Sequence, residues 1–95
     1  MKAESLMDER VILSKRAFVE ITIWKLPTPI KSSAHQYKYR LAHVVDDVCV
    51  LRFDNEAGKG DHKHINEIEV PYQFTDLETL QADFWTEVHN RRTEL

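Results

Sequence analysis

Glycine is almost missing from this 95-residue chain, which holds only Gly58 and Gly60, with Lys59 between them. Glycine reaches positive φ at no steric cost, so placing both in one stretch points to a backbone requirement there. Cysteine is scarcer still. The single Cys49 can form no internal disulfide, so folding does not depend on oxidation, as expected of a cytoplasmic protein. No apolar run approaches the roughly 18 residues needed to cross a bilayer, and Met1-Lys2-Ala3-Glu4 leads into no apolar signal core. A basic surplus is also absent. The formal net charge is −3, whereas phosphate neutralisation supplies most non-specific affinity for nucleic acid. That balance is uneven, however: from Lys25 to Arg40 there are four cations and no acid. A local basic face therefore stays open.

What is present describes an ordinary globular domain. Apolar residues make up 42% of the chain and charged ones 31%, which excludes wholesale disorder. Residues 1–95 are expected to form a single domain with a single core. The segment 2–14 is mixed, and Asp8-Glu9 suggests a turn between two short strands. Ser14-Lys15-Arg16 suggests the next turn.

From Phe18 to Leu26, Val19, Ile21 and Ile23 alternate with Glu20, Thr22 and Trp24, which is the period of a strand. Pro27 and Pro29 end it. Gln36–Val45 forms a second alternating run, with Tyr37, Tyr39, Leu41 and His43 opposite Lys38 and Arg40. Asp46-Asp47 predicts a hairpin into Val48–Asp54, where Cys49, Leu51 and Phe53 alternate with Arg52. This pairing puts Arg40 and Arg52 on one exposed face. The glycine stretch reads as a flexible polar loop, followed by a last strand within His64–Phe74 that Pro71 confines to an edge. Thr75 and Glu78 have the spacing of a capping box. Leu77, Leu80, Phe84 and Val88 then recur at helical spacing. The expected fold is α+β: an antiparallel β-meander of four to six strands with one C-terminal helix packed on a face.

His62-Lys63-His64 is the sharpest chemical pattern. In an extended segment the two imidazoles face one side, and histidine suits general acid–base work near neutrality. Transfer at an RNA 2′-hydroxyl needs an acid, a base and cations for the phosphorane. His62 and His64 supply the first two types, Lys59, Arg40 and Arg52 the third, with Asp61 to orient a histidine and Tyr39 and Lys38 as further substrate contacts. The bland alternative is a solvated hairpin tip. A second alternative is a metal site completed by Asp54, Glu56, Asp61 or His35, but no established zinc or calcium spacing is present. The expectation is therefore no metal and no cofactor. Gly58-Lys59-Gly60 lacks the longer glycine spacing of a phosphate-binding Walker loop. Cys49, sharing a face with Leu51 and Phe53, reads as a small buried hydrophobe rather than a nucleophile. Trp24, Trp85, Tyr37 and Tyr39 could stack on bases, although core packing explains each.

Four stretches carry a family resemblance: Ile23-Trp24-Lys25-Leu26-Pro27, His35-Gln36-Tyr37-Lys38-Tyr39-Arg40-Leu41, the run Arg52 to His64, and Pro71-Tyr72-Gln73-Phe74 leading to Ala82-Asp83-Phe84-Trp85. Together they resemble the TumE family, regarded as toxins of prokaryotic type II toxin–antitoxin pairs. The resemblance runs from about residue 20 to residue 88, and Ser14-Lys15-Arg16 stands where an aspartate-glycine turn is expected. It implies a toxin neutralised by a cognate helix-turn-helix antitoxin encoded beside it. Ribonuclease action, free or on the ribosome, is the corresponding expectation. A non-catalytic module that docks a protein or nucleic acid is the alternative.

Overall fold

A computed structural model describes residues 3–29, 34–56 and 60–92. Six strands follow one another along the chain: β1 (Glu4–Ile12), β2 (Ala17–Lys25), β3 (Tyr37–Val45), β4 (Val48–Glu56), β5 (Gly60–Ile65) and β6 (Ile68–Pro71). They pair in sequence order as one antiparallel meander, and α1 (Leu77–Arg92) closes the chain. This is the α+β architecture that the alternation and the C-terminal stripe predict. The helix buries Leu80, Phe84 and Val88 against Val19, Ile21, Ile23, Leu41, Leu51 and Phe53. Each such side chain contributes about 1.5–3 kcal/mol by leaving water. One sheet face thus belongs to the core, and no helix covers the other among the described residues.

Register decides which side chains share the open face. Arg40 lies across from Asp54, and Arg52 across from Ala42 on β3 and His64 on β5. The β3–β4 hairpin that sets this register turns through Asp46 and Asp47, both at positive φ (50° and 65°). Aspartate tolerates that region because its short side chain can bond the local backbone. Arg16 clasps the turn, its Nε 2.9 Å from Asp46 Oδ1.

Several local expectations are corrected. Asp8 and Glu9 make no turn; they pair with Thr22 and Ile21 inside β1, whose only irregularity lies between Ser5 and Met7. Both side chains stay exposed at the sheet edge, so the strand carries them without burying a charge. The described part of the polar glycine stretch is strand rather than free loop, while Ala57, Gly58 and Lys59 lie outside the described residues. Asn55 and Glu56 extend β4, and Gly60, at φ 75°, already pairs with Glu56 as the first residue of β5. The expected single strand within His64–Phe74 is broken by Asn66, at φ 57°, into the end of β5 and the short edge strand β6.

Cys49 pairs with Val44 whereas Leu51 pairs with His43. The extra residue Val50 forms a bulge that interrupts the alternation, and Cys49 is half-buried rather than in the core with Leu51. The helix cap also sits one residue later than expected: Asp76 Oδ1, not the Thr75 hydroxyl, accepts from the Thr79 amide at 2.7 Å. That bond holds the Asp76 carboxyl below its ordinary range.

Candidate functional site

The residues singled out in the sequence divide between the two faces of the sheet. On the helix-covered face, Tyr39 is 1% exposed and its hydroxyl donates to Asp61 Oδ2 at 2.7 Å. His35 Nε2 meets the same oxygen at 2.7 Å, and its ring stacks on Phe74 with centroids 3.8 Å apart. Burial, then the Asp61 hydrogen bond, pushes the Tyr39 hydroxyl well above the ordinary tyrosine range. Asn55, fully buried, completes this side: its Oδ1 accepts from the Tyr39 amide at 3.0 Å and its Nδ2 donates to the Tyr37 carbonyl at 2.7 Å. An amide side chain thereby takes the place of a ladder bond where β3 and β4 diverge. Asp61 contacts His35 rather than His62 or His64.

The open face carries the other group. His62 is 4% exposed and Asp54 5% exposed; they oppose each other in the β4–β5 ladder. His62 Nε2 lies 2.6 Å from Asp54 Oδ1 and 3.2 Å from Glu69 Oε1. Its Nδ1 is 3.1 Å from the Gly60 carbonyl, so the glycine that opens β5 also fixes the imidazole. His64, whose side chain is 26% exposed, reaches the same Glu69 oxygen at 3.2 Å, and the two imidazole centroids are 5.2 Å apart. Arg52 Nε contacts Asp54 Oδ2 at 2.8 Å. Arg40, across from Asp54 and exposed, flanks the group on the β3 side. A shallow cavity of about 310 Å³ opens beside His62 and Glu69, lined also by Asp61, Val70 and Pro71.

His62, His64, Arg40 and Arg52 are thus brought together, while Tyr39 and Asp61 lie across the sheet from them. Lys38 shares the Arg40 face, and its ammonium is held by the Asn55 carbonyl at 2.8 Å. Lys59 lies outside the described residues, as does the Glu56 side chain. On this face the exposed aromatic ring beside Lys38 is Trp24, at 38% exposure. Glu69 was missed altogether. Its position becomes informative only once Asn66 is read as the left-handed residue of a tight turn, which sets Glu69 opposite His64.

The family profile described as Toxin TumE matches residues 2–92. The chain belongs to the TumE toxin family. The match covers both faces just described and extends to β1, where the resemblance in sequence was weakest. No curated protein and no solved structure matches the chain. Among the described residues, no helix is long and apolar enough to cross a membrane. Membership of the TumE family makes the protein a toxin and makes an antitoxin, in general terms, its expected partner.

Proposed function

We propose that this toxin belongs to a type II toxin–antitoxin module in a prokaryotic cytoplasm. It inhibits growth by acting on RNA, as a ribonuclease or by interfering with translation. A cognate helix-turn-helix antitoxin neutralises it. The observation that supports this reading most is the composition of the uncovered sheet face. Arg40 and Arg52 flank Asp54 there, one ladder step from the His62–His64 pair. Guanidinium groups on a flat, open sheet suit phosphate oxygens, since their fork matches the geometry of a phosphate. Trp24 and Lys38 extend the same surface, and an exposed indole offers a base a stacking platform. The net charge of −3 does not oppose a local site of this kind, because the acids nearest the two arginines, Asp54 and Glu69, are engaged by Arg52 and the two histidines.

In this reading His62 and His64 form the reacting centre, Arg40, Arg52, Lys38 and Lys59 neutralise phosphate, and Asp54 holds His62. The helix-face group of Tyr39, Asp61 and His35 acts on stability and on the placement of β5. The test is induced expression of the chain alone and together with the neighbouring reading frame, followed by RNA end-mapping. New RNA ends that accompany growth arrest, and vanish with co-expression, support the proposal. Growth arrest with intact RNA and continued translation would instead favour a docking module that breaks no bond.

A further inference from the structure

We infer that His62, His64 and Glu69, with Asp54 beside them, form a binding site for one divalent transition-metal ion of the zinc class. Ligand atoms of the first three lie within 4.8 Å of one another. His62 Nε2 is 3.2 Å from Glu69 Oε1, and His64 Nε2 is 3.2 Å from that same oxygen. Bonds of about 2.0–2.1 Å to a tetrahedral ion place neighbouring donors roughly 3.3 Å apart, which is the spacing these pairs show. Asp54 Oδ1, 2.6 Å from His62 Nε2, is a neighbour of His62 at hydrogen-bond distance and stands outside this set of three donors.

His62 Nε2 and His64 Nε2 are both buried, and both are directed at the one Glu69 oxygen. His62 Nδ1 faces the Gly60 carbonyl at 3.1 Å. That contact turns Nε2 toward the carboxylate oxygens of Asp54 and Glu69. A metal-binding histidine characteristically donates its other ring N–H to a backbone carbonyl or carboxylate, which orients the ligating nitrogen. Arg52 takes the outer oxygen of Asp54 and so leaves Oδ1 pointing inward. Two imidazoles with carboxylates form a donor set suited to zinc-class ions rather than to calcium or magnesium, which prefer oxygen alone.

The assignment rests on the open face being the toxin's site, and it moves the two histidines from proton transfer to metal binding. A zinc-class ion there would lie beside Arg40 and Arg52, where a Lewis acid can polarise a phosphoryl oxygen. The test uses the full untagged chain, stripped with a chelator and titrated with zinc ion by calorimetry. One ion per chain is expected. His64→Ala and Glu69→Gln, both at partly exposed side chains, should each weaken binding at least about 100-fold, since even outer partners of metal ligands cost 10–100-fold. Absence of a stoichiometric site in the wild-type chain overturns the assignment, as does binding that both variants retain. Zinc binding without any RNA cleavage leaves the metal site standing and counts against the RNA reading alone.

Discussion

Asp54 and His62 sit directly opposite each other in the β4–β5 ladder, with Oδ1 and Nε2 2.6 Å apart and both residues nearly excluded from solvent. Two polar groups so placed on the uncovered side of a sheet need one another. Burying either alone would cost more than an exposed surface pair ever returns.

Asp54→Ala removes the carboxylate that Arg52 and His62 both face. In chelator-treated protein it should lower stability by about 1–3 kcal/mol, the cost of leaving buried polar partners unmet. Glu69→Gln, at a side chain 41% exposed, should stay within about 1 kcal/mol under the same conditions. Urea denaturation of the two variants beside the parent chain checks the ordering, and equal losses would contradict the buried pairing.

Tyr39 gives a prediction about alkaline pH. Its hydroxyl is raised by burial and by the Asp61 hydrogen bond, and Tyr72 is raised in the same direction by burial and by Asp83. A folded-state value above the unfolded one of about 10 means that the stabilisation is fully present below that pH and lost as pH climbs beyond it. Stability should therefore be insensitive to these two tyrosines from neutrality to about pH 10 and fall above it. Tyr39→Phe should flatten the alkaline loss while costing about 1 kcal/mol at neutral pH. Denaturation curves across the alkaline range, with absorbance titration of tyrosinate, provide the measurement.

The helix cap separates two adjacent residues. Asp76→Ala should cost about 1 kcal/mol, the usual value of an N-cap side chain, because it removes the acceptor of the Thr79 amide. Thr75→Ala should change stability by a few tenths of a kcal/mol at most, as an exposed position that makes no cap. Thermal unfolding of both variants distinguishes them, and a larger loss at Thr75 would restore the capping box read from sequence.

The parts of the fold legible in the sequence are those written in periodicity. Val19, Ile21 and Ile23 alternate because one face of β2 is buried, and Leu80, Phe84 and Val88 recur because one stripe of α1 is. From the same alternation, the shared face of Arg40 and Arg52 and the common side of His62 and His64 follow directly. What stayed hidden depends on single residues in left-handed conformations and on contacts distant in sequence. Asn66 at positive φ splits the final strand and delivers Glu69 to His64; the Val50 bulge turns Cys49 away from Leu51. Asp61, next to His62 in the chain, belongs to the other face because strand neighbours point oppositely. Pairing across 26 residues with His35, and across 22 with Tyr39, leaves no local signature.

The proposed site of the toxin is the open face of its sheet. Growth inhibition on induced expression tests it most directly, with Arg40→Ala and His64→Ala on that face set against Tyr39→Phe on the helix-covered face, and with circular dichroism verifying that each variant folds. Both open-face variants are expected to lose at least about 100-fold in killing, in line with the loss of a group that binds charge or metal at a reacting centre, while Tyr39→Phe remains toxic. Full toxicity of folded Arg40→Ala and His64→Ala, with loss of toxicity in folded Tyr39→Phe, would contradict it and move the site to the other face.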